Sequence, residues 1–560
     1  MENRTKFLFV FLLLVAFYLR LIGFNWGLNN SNYFHGYSFH PDEHYPINDL
    51  RAMDIKKFDF SPKEIQSLAT GPLIVYTTGV SLGVAKVLGL VKIVKDYDFY
   101  KMNPQEFNKL YLCGRFNSVI FSILGILTVF FIGKKFFNVE VGLISSWFMA
   151  VNPLNVIYSH YLSKDTMQLL WILLAMYFSL KILDNKSKRD IFISGFFVGV
   201  CVSTKYNGIV SVILPAMAVV MANLRKKELF FVYVMDILVI SISVAIGFLV
   251  TNPYFFHTFP NFLKYFKEYT LKDILLVSRS NLSNFNKVRS SVLFYLFDAQ
   301  YYGFGIFLWV IAMVSFLYGI VKRNSKIILM ISFVVVYMFL LIRIKNWLIV
   351  RWVLPLLGVY CLSASWFCYE LYKKKRFYKI FSGVLILITS IHSFLYSLSY
   401  VNMMTRTDTR DLSSEYIEKN IVENEEIGTI GVPYSYESSL IQTNYWYKND
   451  NIISNRIKKY KIVVINNSQD LIIYKPKYLC LSEYRYFPLS ELPKQKYQQI
   501  DLDVAGEIEK NYELIKIFRD NPHIFGLYFF EDVSVPPDLR CVSPRIFLYR
   551  SKDEFREKKS

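Results

Sequence analysis

The sequence predicts a mainly α-helical, polytopic membrane protein with a small α/β domain at its C-terminal end. Of its 560 residues, 53% are hydrophobic and 18% are aromatic, and the mean hydropathy is +0.29. This balance is too apolar for a soluble protein of this size. Apolar runs of about 20 residues, the length that spans a bilayer as a helix, recur up to residue 398 and then stop.

Eleven apolar stretches are predicted to be membrane helices, and interfacial helices are expected in addition. They cover residues 7–24, 110–132, 140–158, 166–184, 190–204, 208–223, 229–250, 303–321, 327–343, 350–369 and 378–398. The first stretch follows the basic segment Met1–Lys6 and ends at Phe24 without a small-residue cleavage site. This pattern favours a retained helix over a cleaved signal peptide.

The formal net charge of +20 first suggests a nucleic-acid partner. The Lys and Arg residues, however, gather in short runs between apolar segments, which is typical of the cytoplasmic loops of membrane proteins. These runs are Gly133–Lys135, Asp184–Asp190, Arg225–Lys227, Lys322–Lys326 and Lys373–Arg376. The expected partner is therefore a lipid bilayer and no nucleic acid.

The apolar stretch 71–93 decides how the chain is oriented in the membrane. If Met1–Lys6 is cytoplasmic and 71–93 does not cross, every compact basic run lies on the cytoplasmic side, as the positive-inside rule requires. If 71–93 crosses, all of these runs lie outside. We therefore predict that 71–93 lies along the outer interface or dips into the membrane and returns.

The domain division follows from this orientation. Residues 1–398 form a transmembrane domain with outer loops at 25–109 and 251–302, and residues 399–560 form an extracytoplasmic domain. The latter contains an amphipathic helix pattern near 410–422 and three short apolar runs edged by polar residues, which predicts an α/β fold. The three runs cover residues 427–432, 461–465 and 477–482.

Polar side chains at the predicted outer ends of the helices point to a function, because polar groups at membrane level are costly. The first group is His40–Pro41–Asp42–Glu43–His44–Tyr45. Its adjacent carboxylates suit a general base or a cation site. The same residues also suit a helix start before Tyr45–Met53, and both roles stay open.

Three basic residues occupy other predicted outer turns. Lys164 either pairs with its neighbour Asp165 as an interfacial ion pair or takes part in a site. Lys205, in the turn Ser203–Asn207, binds an anion such as phosphate, pairs with Asp165 or extends toward lipid headgroups. Arg351 lies in a strongly apolar setting, which predicts a phosphate or carboxylate partner.

Two further features bear on cofactors and anchoring. The six Cys residues form no CxxC or Cys/His cluster, so no obligatory metal is expected, although a divalent cation beside Asp42–Glu43 stays open. Cys480 and Cys541 either pair in an extracytoplasmic domain or stay free. Phe262–Tyr269 has the pattern of an interfacial helix, for which a membrane anchor is the favoured role.

Cations that hold a phosphate, beside acids that take a proton from a hydroxyl, predict a transferase acting on a phosphate-linked donor. The alternative is a transporter or flippase of a lipid-linked or anionic solute. Many transporters have two similar halves and polar groups near the bilayer middle. In this sequence no internal repeat is found and the polar groups gather at one predicted face, which favours the transferase.

The chain also resembles the polyprenyl-phosphate-dependent glycosyltransferases of the GT-C superfamily, such as the protein O-mannosyltransferases and the aminoarabinose transferase of lipid A. The resemblance runs through nearly the whole membrane part and into the C-terminal domain. Its segments are Asp42–Glu43, Gly71–Tyr76, Gly114–Ser118, Gly133–Phe137, Tyr158–Asp165, Thr204–Tyr206, Asn252–Tyr254, Arg351–Pro355, Asp408–Arg410 and Ser414–Ile417. The chain departs from the family pattern at Gly71, which replaces a proline, and at His160, which replaces an arginine.

The resemblance implies an inverting transfer of a sugar from a polyprenyl-phosphate carrier to a hydroxyl of a protein, glycan or lipid, at the outer face of the cell membrane. It implies that Asp42 is the general base and that Glu43 orients this base or the sugar. Lys205 and Arg351 would stabilise the departing polyprenyl phosphate, and Lys164 is a further candidate for this role. Further substrate-binding candidates are His40, Tyr45, His160, Asp165, Tyr206, Asn252 and Tyr254.

Overall fold

The structure is a computed structural model that describes residues 3–30, 32–265, 267, 288–344, 348–494, 497, 499–530 and 535–552. Within this part of the chain, the predicted fold class is confirmed, because helices dominate up to Met404 and a mixed sheet with short helices follows. The predicted Phe262–Tyr269 helix is only partly covered: a helix spans Phe255–Tyr265, and the rest of that prediction lies outside the described residues.

Every predicted membrane stretch coincides with a helix or a helix pair. The described helices of the membrane part outside the segment 22–103 are Asn3–Leu21, Pro104–Phe136, Val139–Ala150, Pro153–Ser159, Asp165–Asn185, Lys188–Thr204, Ile213–Lys226, Phe230–Thr251, Phe255–Tyr265, Ser291–Leu293, Ala299–Phe304, Ile306–Val321, Ser325–Ile342, Leu357–Tyr372 and Arg376–Met404, with 3-10 turns at Tyr206–Val212 and Val350–Leu356 and a π-helical turn at Phe294–Asp298. Seven of the described helices are long and apolar enough to cross a membrane. The pair that bends by 57° around Val151–Asn152 raises this number to eight. The chain is therefore a multi-pass membrane protein.

Three of the eleven predicted spans are helical but fall short of this length or apolarity. The helix Asn3–Leu21 carries Arg4, Lys6 and Arg20 within 19 residues. Lys188–Thr204 has 17 residues and begins with three charged ones, and Ile306–Val321 has only 16. Arg20 is tolerated because it is fully buried and donates to Ser122 and to the carbonyl of Ala150.

Small residues let neighbouring membrane helices approach closely. A Cβ atom at Gly199 would lie 2.1 Å from the carbonyl oxygen of Val244, and one at Gly247 would lie 2.2 Å from that of Phe196. These contacts join Lys188–Thr204 to Phe230–Thr251. In a bilayer, where lipid tails are as apolar as the side chains, such close backbone packing drives helix association.

The segment between the first two membrane helices, residues 22–103, is called the first loop below. Its helices are His44–Ala52, Ile65–Thr70, Leu73–Val87 and Tyr97–Met102, with a 3-10 turn at Ile55–Lys57. The apolar stretch 71–93 contains a helix of only 15 residues, and its lie along the interface stays a prediction. The start of this stretch packs against the end of the helix Lys188–Thr204. Gly71 has φ +118°, and a Cβ there would lie 2.6 Å from the Thr204 carbonyl oxygen.

The C-terminal domain begins after Met404, and the part of it that the structure describes contains seven strands. These are β1 (Glu426–Ile430), β2 (Lys461–Ile465), β3 (Tyr478–Ser482), β4 (Tyr512–Phe518), β5 (His523–Ile524), β6 (Leu527–Tyr528) and β7 (Ile546–Ser551). The main sheet has the order β2-β1-β3-β7-β4, in which β1 runs parallel to β2 and β3, and β7 runs antiparallel to β3 and β4. The three apolar runs of the sequence coincide with β1, β2 and β3, which confirms them as strands.

Short helices cover this sheet. They are Thr409–Asn420, Ser439–Trp446, Asn451–Ser454, Ser468–Tyr474, Leu502–Asn511 and Pro537–Arg540, with a 3-10 turn at Leu489–Lys494. Thr409–Asn420 confirms the amphipathic helix predicted near 410–422. Cys480 and Cys541 are both free thiols and are buried in different hydrophobic clusters, so they do not form the disulfide that the sequence left open.

The C-terminal domain rests on the first loop through a buried arginine. Arg410 donates to Asp408 at 2.7 Å, and its guanidinium lies 3.8 Å from the ring centre of Phe39 in the first loop. The indole nitrogen of Trp26 in turn donates to the carbonyl of Val542 at 2.9 Å. The first loop is thus held between the membrane helices and the C-terminal domain.

Candidate active site

Asp42 lies in the turn that precedes the helix His44–Ala52 and faces Arg351. Its Oδ2 is 2.7 Å from Nη2 of Arg351, and 31% of the Asp42 side chain is exposed. Burial alone would raise the pKa of Asp42, but the charges of Arg351 and His40 lower this pKa well below its usual range. Asp42 is therefore a partly accessible carboxylate at neutral pH.

The neighbouring carboxylate, Glu43, has a different environment. Its two oxygens accept from Nε and Nη2 of Arg115 at 2.8 and 2.7 Å, and neither side chain has any exposed surface. Glu43 also accepts from the backbone N–H of Leu162 at 2.5 Å and makes no side-chain cap bond to the helix that follows it. These contacts suit the first of its two predicted roles, orienting the turn that carries Asp42, and a role toward the sugar stays a prediction.

Lys164 and Lys205 both lie close to the carboxylate of Asp165. Lys205 pairs with Asp165 at 2.9 Å, and Asp165 also accepts from the hydroxyl of Ser163 at 2.6 Å. The ion pair between Lys164 and Asp165 that the sequence allowed is therefore replaced by one with Lys205. Lys164 instead donates to the hydroxyl of Thr70 and, at 3.0 Å, to the carbonyl of Gly71.

Lys164 consequently has only neutral hydrogen-bond partners. Among the described residues no carboxylate forms an ion pair with it, although Asp42, Asp165 and Asp49 act on it from farther away. Burial and the charge of Lys205 lower the pKa of Lys164 to about 7, from an ordinary value of about 10.4. A half-buried cation without a direct counter-charge is a natural partner for an anionic ligand.

Arg351 begins a membrane helix and connects three parts of the chain. Its guanidinium faces Asp42 of the first loop, and its backbone N–H donates at 3.0 Å to Asp538 of the C-terminal domain. The Nε atom is buried without a hydrogen-bond partner among the described residues. The predicted carboxylate partner is thus present, and one donor remains for a ligand. Lys345–Trp347, in the segment that leads to this helix, lies outside the described residues.

Several of the other predicted substrate-binding residues form hydrogen bonds with backbone carbonyls. Both ring nitrogens of His160 lie 2.8 Å from backbone carbonyl oxygens, those of Val156 and Ile22. The hydroxyl of Tyr206 donates to the Leu68 carbonyl at 2.9 Å, and that of Tyr254 donates to the Phe58 carbonyl at 2.6 Å. Tyr206 and Tyr254 thus contact the first loop, as His160 does at Ile22, and the substrate-binding role of all three stays a prediction.

His40 and Tyr45 flank the acidic turn. The ring of His40 is buried 4.3 Å from the ring of Tyr161, and burial lowers the pKa of His40 to about 4. Tyr45 is half-buried with its ring 4.0 Å from that of His44. Asn252 is buried at the end of Phe230–Thr251. Of this group, Tyr45 has exposed surface close to Asp42.

Sequence reasoning did not identify two functional candidates in this arrangement. Arg115 lies in a segment that the resemblance includes, but its pairing with Glu43 joins residues 72 positions apart. Asp538 lies in the short helix Pro537–Arg540, where nothing in the pattern separates it from an ordinary helix-starting acid. Both were hidden because their partners are distant in sequence.

Comparison with known proteins identifies a related family for the central membrane part. Residues 107–250 match the family model of dolichyl-phosphate-mannose-protein mannosyltransferases. The match covers about a quarter of the chain and includes Lys164, Asp165 and Lys205, while Asp42 and Arg351 lie outside it. It confirms the resemblance to polyprenyl-phosphate-dependent glycosyltransferases. No curated protein matches the chain.

Three solved structures align with the chain at low sequence identity. ArnT from Cupriavidus metallidurans in the apo state is 11% identical, with 88% of this chain and 96% of that chain covered and a TM-score of 0.49. The oligosaccharyltransferase AglB from Archaeoglobus fulgidus, in complex with an inhibitory peptide and a dolichol-phosphate, is 11% identical, with 99% and 77% covered and a TM-score of 0.47. The S. cerevisiae protein O-mannosyltransferase Pmt1-Pmt2 complex bound to the sugar donor is 16% identical, with 47% and 35% covered and a TM-score of 0.32.

Proposed function

We propose that this protein is an inverting membrane glycosyltransferase that moves a sugar from a polyprenyl-phosphate donor to an acceptor hydroxyl at the outer face of the cell membrane. The observation that carries the proposal is the meeting of Asp42 and Asp165 with Lys164, Lys205 and Arg351 in one cluster. The family match over the central helices supports the same chemistry. The sugar and the acceptor stay open.

The cations are assigned to the donor phosphate. Lys164 has no direct counter-charge, and Arg351 keeps one buried N–H donor without a partner among the described residues. Together with Lys205 they offer fixed positive charge where the leaving phosphate gains negative charge, which stabilises the transition state more than the ground state. Lys164 is therefore the principal phosphate ligand in this proposal.

Asp42 is assigned to the acceptor. The acceptor oxygen attacks the anomeric carbon, the bond from this carbon to the phosphate oxygen breaks, and its electron pair leaves with the polyprenyl phosphate. The proton of the acceptor hydroxyl passes to Asp42. Binding of the anionic donor at Arg351 weakens the field that this arginine exerts on Asp42, so we expect the carboxylate to become a better base when donor is present.

The function is tested by following a radiolabelled sugar. Purified protein in vesicles receives a sugar-labelled polyprenyl phosphate and a cell-envelope extract as the source of acceptor. The proposal expects protein-dependent appearance of the label in covalent linkage to an acceptor, and mass spectrometry of envelope glycans identifies that acceptor. Movement of the intact donor across the vesicle membrane without covalent transfer would instead support a flippase.

The lowered pKa of Lys164 predicts that the rate of sugar transfer depends on pH. Because its pKa is lowered to about 7, it carries its charge below this pH and loses the charge as the pH rises through it. We expect kcat/KM for the donor to fall on the alkaline side by about 10-fold or more, the contribution of one charge-assisted hydrogen bond. His40, with a pKa of about 4, titrates outside this window.

The matched variants are Lys164→Arg and Lys164→Met. Arginine keeps its charge above pH 12, so the arginine variant is expected to lose the alkaline decline while it retains measurable transfer. The methionine variant is expected to have low kcat/KM at every pH. An alkaline decline that persists unchanged in both variants would assign the titration to another group.

The proposal includes no obligatory metal ion. Among the described residues, no group of three or more His, Cys, Asp or Glu side chains is arranged to hold one, and Asp42 already has Arg351 as its counter-charge. We therefore expect transfer to persist in EDTA at a rate within about twofold of the untreated rate, since the fixed cations supply the charge that a metal would supply. Loss of transfer in EDTA that Mg²⁺ or Mn²⁺ restores would contradict this expectation.

A further inference from the structure

The C-terminal domain reaches the candidate active site through the short helix Pro537–Arg540. Oδ2 of Asp538 accepts from the backbone N–H of Arg351 at 3.0 Å and from the hydroxyl of Tyr158 at 3.1 Å. Its other oxygen, Oδ1, is buried without a hydrogen-bond partner among the described residues. One carboxylate of the C-terminal domain thus contacts two membrane helices at the residue that faces Asp42.

Asp538 caps the helix that begins at Val350, although it comes from a distant part of the chain. Arg351 is the second residue of the turn Val350–Leu356, which continues into Leu357–Tyr372, and its N–H has no partner within the helix because it lies in the first turn. The local residue at the cap position, Ile349, makes no side-chain cap bond. A carboxylate at this place satisfies the N–H and interacts favourably with the helix dipole.

The second partner of Asp538, Tyr158, lies beside the guanidinium of the same arginine. The guanidinium carbon of Arg351 lies 6.0 Å from the ring centre of Tyr158, which is within the range of a cation–π contact. Asp538 therefore fixes the backbone of Arg351 directly and its guanidinium through the Tyr158 ring. Without it, the side chain that faces Asp42 would lose two of its supports.

We propose that Asp538 is a positioning residue through which the C-terminal domain fixes Arg351 for the donor phosphate. This inference rests on the proposed function, because it takes Arg351 as a ligand of the donor. It gives the C-terminal domain a role in building the transfer site, which is distinct from acceptor binding. Asp538 itself acts through Arg351 and Tyr158 and contacts neither donor nor acceptor.

The test measures binding of sugar-free undecaprenyl phosphate to the full-length chain in detergent, together with the donor kcat and KM. Asp538→Ala is expected to weaken lipid-phosphate binding about 10-fold and to raise the donor KM, since a misplaced guanidinium loses its charge-assisted bonds. Asp538→Asn keeps an oxygen that accepts the same two hydrogen bonds and is expected to recover most of the affinity. The matched control is Asp520→Ala, which removes a 3.0 Å ion pair with Arg406 in the same domain and is expected to bind as the wild type does.

The outcomes separate this inference from the proposed function. Wild-type affinity in Asp538→Ala overturns the inference and leaves the proposed function standing. The inference is also overturned if Asp538→Asn binds no better than Asp538→Ala. It is overturned as well if Asp520→Ala loses lipid-phosphate affinity in proportion to a lowered melting temperature. Failure of the wild type itself to bind undecaprenyl phosphate and to transfer sugar overturns the proposed function, and this inference with it.

Discussion

Replacement of Asp42 by alanine or asparagine is expected to reduce sugar transfer about a hundredfold or more while the protein stays folded. The reason is that Asp42 is the one carboxylate of the cluster that is assigned to the acceptor hydroxyl, and loss of a general base typically costs this much. Its side chain is 31% exposed and that of its partner Arg351 is 19% exposed, so truncation leaves no fully buried charge unpaired. The measurement is kcat/KM for labelled donor in purified vesicles.

Asparagine is the sharper of the two variants. It has nearly the shape of aspartate and still accepts a hydrogen bond from Arg351, but it cannot take a proton from the acceptor. The matched control is Asp59→Ala, since Asp59 lies in the same loop in an exposed ion pair with Lys63 and is expected to change the rate by less than about twofold. Full transfer by Asp42→Asn would exclude Asp42 as the base.

Glu43 and Arg115 carry the largest expected effect on stability. Replacing either residue alone by alanine leaves a charge that is fully buried and unpaired, which is expected to cost about 3–5 kcal/mol. Arg115 would also lose its place as donor to the carbonyls of Phe24 and Trp26, which ties the start of the first loop to the membrane helices. We expect a marked loss of folded protein on size-exclusion chromatography and a lowered melting temperature in detergent.

A double variant distinguishes the cost of an unpaired buried charge from the contribution of the Glu43–Arg115 ion pair itself. Removing both charges together, as in Glu43→Leu with Arg115→Met, eliminates the unpaired charge, so part of the lost stability is expected to return. Glu426→Ala, which breaks an exposed pair with Lys461 in the sheet of the C-terminal domain, is expected to cost less than about 1 kcal/mol. If Glu43→Ala is stable but inactive, Glu43 has a direct role in the chemistry after all.

Asp42 and Glu43 show which part of the site can be predicted from the sequence and which part cannot. Adjacent acids after a membrane helix identify the acidic turn, because two carboxylates at that place need a reason. They do not tell which acid faces the site, since neighbouring residues in a turn point in different directions. Only the folded chain brings Arg351 to one acid and Arg115 to the other.

The fold itself was largely predictable because it depends on local patterns. The length of the apolar runs predicts the membrane helices, and the alternation of short apolar runs predicts β1, β2 and β3. The strands β4 and β7 were not predicted, and they complete the sheet through pairings with distant partners. In the same way the sequence identified Lys164, Lys205 and Arg351 as candidates but left open which of them is already neutralised.

The lack of a direct counter-charge on Lys164 among the described residues has a consequence for turnover. The proposed donor is a phosphodiester with one negative charge, whereas the spent carrier would be a phosphate monoester with a charge of about −1.5 to −2 at pH 7. We therefore expect Lys164, Lys205 and Arg351 to hold the spent carrier more tightly than the donor it came from. Departure of the discharged lipid, and not cleavage of the glycosidic bond, is then expected to limit the cycle.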